Sequence, residues 1–435
     1  MEADARPDGR EGDALTDTIY ALSSGAPPAA IALVRISGPK ADLALAALAG
    51  KLPAARTATL ASLRADGEVL DNALILRFPG PASATGEDVA ELHLHGGRSV
   101  VAAVLAALGR IEGLRAAEPG DFTRRAFENG RIDLAEAEGL ADLIEAETQA
   151  QRRAALALAG GALSRQIEAW QARILAFAAQ VEAALDFSDE DDAARLPAGF
   201  AAELAALRDE LSGWLARPPA ERLKDGVRVV IAGPPNAGKS SLLNALVGRD
   251  AAITSEIPGT TRDVIEAPTA IGGAPFVLID TAGLRDSKDG IEAIGVDRAR
   301  ASVMAADLVI WLGAPADAPA GAIAVHAKSD LGPVIAGSAL AVSAKTGAGL
   351  DTLSRKLIQR STSLLPREGE VALNARHRES LQEVLGALEE AGTTGDLLIS
   401  AEAFRRARVA LDRITGGAGV EDMLDALFGR FCIGK

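Results

Sequence analysis

The sequence predicts a multidomain α/β protein: a doubly wound sheet inserted in an α-helical domain and preceded by a small α+β domain. Three observations predict it. First, a glycine-rich loop, Gly233-Pro-Pro-Asn-Ala-Gly-Lys-Ser-Ser241, lies between a buried-strand pattern at 227–232 and a helix pattern at 242–247. Second, short apolar runs alternate with turn signals from Asp17 to Gly120. Third, helical periodicity runs through residues 122–222 and returns from 367 to 435. Periods of 3.6 and 2 residues separate helix from strand in such a reading.

Residues 1–16 are polar and acidic, with no signal-peptide pattern, and are expected to form a disordered tail. Residues 17–121 form the α+β domain. Within it, 29–37 and 73–78 read as strands, and 99–108 as a helix. Residues 89–95 alternate apolar and polar, the mark of a half-buried strand. Residues 122–222 begin the helical domain: Leu134, Ala137, Leu140, Ala141 and Ile144 recur at helical spacing, as do Ile174, Phe177, Val181 and Leu185. The acidic run 186–192 reads as a solvated turn rather than a metal site. Residues 223–366 form the nucleotide domain, and 367–435 complete the helical one. Such an insertion is tolerated when the ends of the insert lie close together.

Composition narrows the classes. At 435 residues the chain needs two or three cores. Its 48% hydrophobic and 24% charged residues are those of a globular protein. Aromatics reach only 3%, and abundant alanine favours helix-rich packing. A net charge of −15 argues against sequence-independent attraction to nucleic-acid phosphates, leaving a local basic patch or a partner as the route to RNA. The single cysteine, Cys432, excludes an internal disulfide and suits a reducing cytoplasm. No apolar run is long enough to span a bilayer.

The glycine-rich loop fits G-x-x-x-x-G-K-[ST]. Its glycines let backbone N–H groups turn toward phosphates, and the adjoining helix N-terminus adds positive potential. Lys239 can neutralise the β- and γ-phosphates, and the Ser240 hydroxyl can ligate Mg²⁺. Asn236, Ala237, Gly238 and Ser241 complete this phosphate-binding loop. A second apolar strand runs into Asp280-Thr281-Ala282-Gly283. There Asp280 can hold the Mg²⁺ shell, and the Gly283 N–H can meet the γ-phosphate. Between the two lies Ser255-Glu256-Ile257-Pro258-Gly259-Thr260-Thr261, whose hydroxyls can close on metal and phosphate; Thr261 joins Ser240 as the expected Mg²⁺ pair. Later come Lys328 and Asp330, then Ser343-Ala344-Lys345. Asp330 can accept two N–H groups from one edge of guanine, Lys328 can lie across the base, and the Ala344 backbone can donate to the guanine O6. Each short motif alone is a turn or a helix cap. Their order along one βα-patterned segment makes a Ras-like P-loop GTPase domain. Two positions depart from the usual pattern. Leu284 stands where many small GTPases place a water-orienting glutamine, so the hydrolysis machinery must differ. Ala327 replaces the asparagine that opens the base motif, which predicts weaker nucleotide affinity.

Beyond the nucleotide motifs, the chain carries Asp17-Thr-Ile-Tyr-Ala21, Val34-Arg-Ile-Ser-Gly38, Thr85-Gly-Glu-Asp-Val89, His95-Gly-Gly97, Pro119-Gly-Asp-Phe-Thr-Arg-Arg-Ala-Phe127 and the terminal Phe431-Cys-Ile-Gly-Lys435. In these motifs and in domain order it resembles the bacterial tRNA-modification GTPase family MnmE, also called TrmE. The resemblance implies C5 modification of the wobble uridine in tRNA, in a heterotetrameric complex of a homodimer with the FAD-dependent protein MnmG (GidA). It implies a tetrahydrofolate derivative, 5-formyl or 5,10-methylene, held in the N-terminal domain by Arg35, Glu91, Arg131 and Lys435. In that role Glu91 would accept two N–H bonds from the pterin ring. The domain would also serve dimerisation. The resemblance implies K⁺ held by Asn236 with Ser255, Ile257 and Thr260, and water activation by Glu292 once two nucleotide domains dimerise. It makes Cys432 a catalytic candidate; a small buried hydrophobe is the alternative. From the residues alone, Arg35 and Glu91 could equally be sheet-surface groups facing solvent. His93 and His95 point to one side of their strand, where packing is favoured over metal binding. Pro27-Pro-Ala-Ala30 replaces a Gly-Arg-Gly stretch of the family and puts that loop's role in question. The competing functions are a GTP-gated ribosome-assembly factor, disfavoured by the lack of a basic RNA-binding module, and a folate enzyme unrelated to tRNA.

Overall fold

The computed structural model describes residues 17–186, 196–249, 265–280, 304–332, 340–417 and 421–434. Its contacts divide the chain into two compact units, Met1–Ala141 with Thr415–Lys435, and Asp142–Ile414.

In the first unit the described residues form a six-stranded sheet. Its strands are β1 (Thr18–Leu22), β2 (Ile31–Ser37), β3 (Thr59–Ala65), β4 (Glu68–Phe78), β5 (Val89–His95) and β6 (Leu114–Ala116), in the order β3-β4-β5-β2-β1-β6. Only β6 pairs in parallel, with β1. Helices α1 (Ala41–Ala49) and α2 (Arg98–Leu108) share a core with one face, where Val34, Ile36, Leu63, Ile75, Leu92 and Leu94 are buried with Leu45 and Val104. The alternation of β5 is plain: Ala90, Leu92 and Leu94 are buried, whereas Glu91 and His93 are half-buried and His95 is exposed. Helix α3 (Asp121–Glu128) packs Phe122 against Ile19, Ala21 and Ala117. Helix α4 (Leu134–Glu145) buries Leu134, Ala137 and Ala141 with Leu427, Phe428 and Phe431 of the C-terminal segment. Residues 122–141 and 415–435 read from the sequence as helical domain. Here they group with the first unit, because α3 and the C-terminal segment bury their apolar residues there.

A buried cation ties distant segments of this unit together. The Arg125 side chain is 4% exposed. It donates to Asp17 Oδ1 at 2.5 Å and to both Glu87 oxygens at 3.1 and 3.0 Å. Ser37 Oγ donates to Glu87 Oε2 at 2.7 Å and lies 2.6 Å from Thr85 Oγ1. The Asn129 amide donates to the Thr85 carbonyl at 2.8 Å. Two carboxylates can share so small a space only with a cation between them. Substituting Arg125→Met leaves Glu87 without its cation and Asp17 with Arg115 alone, and is expected to destabilise the full chain by about 3–5 kcal/mol, read by chemical denaturation.

The second unit opens with helices α5 (Gln149–Ala159), α6 (Ala162–Asp186), α7 (Phe200–Leu215) and α8 (Glu221–Asp225). The nucleotide domain comes next: β7 (Val227–Ala232), α9 (Lys239–Val247), β8 (Ile265–Ile271), β9 (Ala274–Asp280), β10 (Leu308–Trp311), β11 (Ile323–Ala327), β12 (Leu340–Val342) and α10 (Leu350–Ser361). Helices α11 (Ala375–Thr393) and α12 (Leu397–Thr415) close the unit. The sheet order is β12-β11-β10-β7-β9-β8, all parallel except the β8–β9 hairpin. This is the Ras-like doubly wound order, set between helices on both sides of it in the chain. Its central strand β7 is rich in β-branched residues and buried on both faces, as a central parallel strand requires. Val229 and Ile231 belong to one cluster and Val230 to another.

Among the helices, Ile174, Phe177 and Val181 of α6 are buried as their spacing predicts. Leu185 is only half-buried, and Ala184 takes the inward position. Phe177 stacks on Phe404 with centroids 5.8 Å apart, and Phe200 meets Phe177 edge-on. Helix α5 is anchored to the nucleotide domain at its first turn. The Ala150 N–H donates to the Gly273 carbonyl at 3.0 Å, and the Gln151 amide donates to the Leu223 carbonyl at 2.9 Å.

Candidate active site

Strand β7 leads directly into the phosphate-binding loop. Gly233 has φ +149° and Gly238 φ +96°. A Cβ on Gly233 would stand 3.1 Å from the Leu312 backbone. Both positions therefore call for glycine. Asn236, at φ +61°, is a residue type that tolerates the left-handed region. The helix pattern began at residue 242, but Gly238 is the N-cap and α9 starts at Lys239. Lys239 and Ser240 thus sit in the first helical turn, where free N–H groups and the helix dipole favour an anion.

The charged groups converge on that turn. Lys239 is 7% exposed, and its ammonium donates to the carbonyls of Gly233 at 3.2 Å and Pro234 at 3.0 Å. Ser240 Oγ donates to Asp280 Oδ2 at 2.5 Å, and Asp280 is 1% exposed. The hydroxyl and the carboxylate reach the same point. Hard oxygen donors of this kind, one of them anionic, fit Mg²⁺.

The base-recognition residues lie on neighbouring loops. Lys328 has φ +58° and donates to the Asn236 carbonyl at 2.7 Å, so it bridges the base loop and the phosphate loop. Ser343 is buried, and its hydroxyl donates to Asp330 Oδ1 at 2.7 Å. That bond, the largest cause, holds the Asp330 carboxyl below its usual range. Lys345 is exposed and adds to the effect through its charge. Ala344 is half-buried in the same turn. Ala327 packs against the nucleotide-domain core and offers no polar group in place of asparagine. Ala237 also lies against that core, and Ser241 is exposed on α9. Ser255, Glu256, Ile257, Pro258, Gly259, Thr260, Thr261, Thr281, Ala282, Gly283, Leu284, Glu292 and Lys435 lie outside the described residues.

The remaining candidates belong to the first unit. Arg35 and Glu91 are paired directly across β2 and β5. Arg35 donates twice to Glu91 Oε1, at 3.1 and 2.9 Å, and its guanidinium stands 5.8 Å from the Phe122 ring centroid. Both residues are half-buried rather than facing free solvent. Glu91 Oε1 already accepts two bonds, so Oε2 is the oxygen left for a ligand. Arg131 is exposed, and a Cβ on Gly86 would stand 3.3 Å from its Cγ. Cys432 is exposed, which sets aside the buried-hydrophobe alternative. His95 Nδ1 lies 2.7 Å from Asp71 Oδ1, whereas His93 Nε2 stands 3.6 Å from Glu91 Oε2, so the two histidines serve different carboxylates. Sequence reasoning missed Phe122 and His93 as neighbours of the Arg35–Glu91 pair. Strand parity places His93 beside Glu91, and the Gly-Asp-Phe motif holds Phe122.

Comparison with known proteins decides the family. A family model for the MnmE helical domain matches residues 134–432, and one for the GTP-binding protein TrmE N-terminus matches residues 18–131. A tRNA modification GTPase MnmE from Rhizorhabdus wittichii is 60% identical over 430 residues, covering 98% of each chain. The chain belongs to the MnmE family of tRNA modification GTPases. An MnmE from Erythrobacter litoralis is 59% identical, covering 96% of this chain and all of its own. One from Novosphingobium aromaticivorans is 55% identical over 437 residues, covering 97% of this chain and 100% of its own. The MnmE match does not favour the ribosome-assembly alternative. Among the described residues no helix is long and apolar enough to cross a membrane.

Guanine recognition is open to two tests. Asp330→Asn removes a charged acceptor and is expected to weaken GTP binding by roughly 10–100-fold, in equilibrium titration with a fluorescent guanine nucleotide. Because the carboxyl is held below its usual range, Asp330 stays ionised as pH falls. Its contribution is present above the ordinary aspartate value of about 3.9 and is lost only as pH drops through the lower value it has in the folded chain. Guanine preference over inosine nucleotides should therefore be flat from pH 8 to about pH 5.

Proposed function

We propose that this chain hydrolyses GTP to drive (carboxymethyl)aminomethyl modification at C5 of the tRNA wobble uridine. The observation that carries the reading is 60% identity to a tRNA modification GTPase across 98% of both chains. The assembled phosphate loop supports the GTPase part.

In this reading Lys239 leaves the Gly233 and Pro234 carbonyls and neutralises the β- and γ-phosphates. Ser240 and Thr261 would ligate Mg²⁺ and Asp280 would hold its shell; bound there, the ion would offset phosphate charge. Asn236, Ser255, Ile257 and Thr260 offer neutral oxygens suited to K⁺, at the place where an arginine finger acts in other GTPases. Leu284 cannot orient water, so Glu292 takes that role when two copies bring their nucleotide domains together. Asp330, Lys328 and the Ser343-Ala344-Lys345 turn select guanine.

The folate reading assigns Arg35, Glu91, Arg131 and Lys435 to a tetrahydrofolate derivative that carries the one-carbon unit. The carboxylate of Glu91 suits ring N–H groups, and the cations suit the glutamate tail. The exposed thiol of Cys432 is accessible for chemistry on the tRNA side. A homodimer acting in the cytoplasm with the FAD-dependent MnmG completes the proposal.

Nucleoside mass spectrometry of bulk tRNA from a strain lacking this protein tests it. C5-aminomethyl-type uridines should disappear. Wild type should restore them, and Glu292→Ala and Cys432→Ser should not. An unchanged nucleoside profile would sink the tRNA reading.

A further inference from the structure

His93 stands on β5 two residues after Glu91, so both side chains leave the same face of the sheet. In register it lies between Leu74 of β4 and Leu33 of β2. Its side chain is 32% exposed, yet its Nε2 is buried and has no hydrogen-bond partner. Glu91 Oε2 stands 3.6 Å away, beyond hydrogen-bonding range. The other oxygen, Oε1, is held by two N–H groups of Arg35, whose guanidinium rests over Phe122. Arg35 is therefore committed to one side of the carboxylate.

A buried polar atom without a partner destabilises the state that contains it. An apolar ring at this place, between two leucines, would remove the penalty. A nitrogen that is orphaned here, and aimed at a carboxylate, makes sense if the bond forms in another state of the site. We propose that His93 is a positioning residue for Glu91, closing on Oε2 when a ligand with ring N–H donors engages that carboxylate. This deepens the folate reading above and rests on it. Closure needs a movement of about 0.7 Å, from 3.6 Å to an ordinary hydrogen bond. The carboxylate is then clamped by Arg35 on one oxygen and His93 on the other. The one acceptor site left open, on Oε2, faces the ligand at a fixed angle, so His93 acts on affinity and ring selectivity without itself donating to the ligand.

The test is calorimetric titration of the full chain with 5-formyl-tetrahydrofolate, together with thermal unfolding without ligand. His93→Phe should bind about tenfold more weakly, while melting at or above the wild-type temperature. His93→Gln, which keeps a polar terminus, should bind within about threefold of wild type. A His93→Phe protein that binds as tightly as wild type overturns the inference and leaves the folate reading standing. One that binds weakly and also melts well below wild type overturns it too, since His93 would then be an ordinary packing residue. A wild-type chain that shows no binding removes the folate reading, and this inference with it.

Discussion

The nucleotide site depends on one constraint: β7 is paired on both edges, with β9 on one side and β10 on the other. A strand held in this way cannot drift, so the chain must reverse within the six residues from Gly233 to Gly238. That reversal needs left-handed or otherwise glycine-favoured backbone at three points: Gly233, Asn236 and Gly238. It delivers the chain into helix α9, whose first turn points back at the strand end. Because β9 runs parallel to β7, its terminal Asp280 arrives beside Ser240. The site is thus a consequence of parallel pairing, with side chains supplied by the end of β9 and by the segments that follow β7, β11 and β12.

Cations in this acidic chain are spent locally. Lys239 and Lys328 both rest on carbonyl oxygens of the phosphate loop. Each ammonium is placed close to where nucleotide charge or the base would lie, and carbonyls are weak enough partners to be exchanged for phosphate. The net charge of −15 therefore says little about the site, where the local field is set by two lysines, a helix N-terminus and the Asp280 carboxylate. The base loop and the phosphate loop are joined by one of those lysines, so nucleotide binding is expected to reorganise both together.

The first unit solves a different problem. Its sheet has one face filled by helices α1 and α2, and the other carries Arg35, Glu91 and His93. On that face Arg35 is held by Glu91 and Phe122, and on helix α3 Arg125 is held by Asp17 and Glu87. The Thr85-Gly-Glu87 motif matters structurally because Thr85 and Glu87 join the Arg125 cluster, which links residues from 17 to 129. A motif that carries the family resemblance in sequence is, for two of its residues, part of a buried network of ion pairs and hydrogen bonds.

The local signals were legible in the sequence. The phosphate loop, the strand before it, the alternation of β5 and the helical stripe of α6 all arise from short-range rules, since turn geometry and side-chain period act over a few residues. Family and activity were legible too, because long motifs in a fixed order are specific. Boundaries were less so: β4 starts at Glu68 rather than 73, α9 at Lys239 rather than 242, and Ala184 replaces Leu185 inward. Only the tertiary structure decided that Arg35 occupies one oxygen of Glu91, that Lys328 reaches the Asn236 carbonyl, and that residues 122–141 group with the first unit. Those facts depend on pairings between residues tens to hundreds of positions apart. Their energies come from burial and charge in a shared space, which no local pattern encodes.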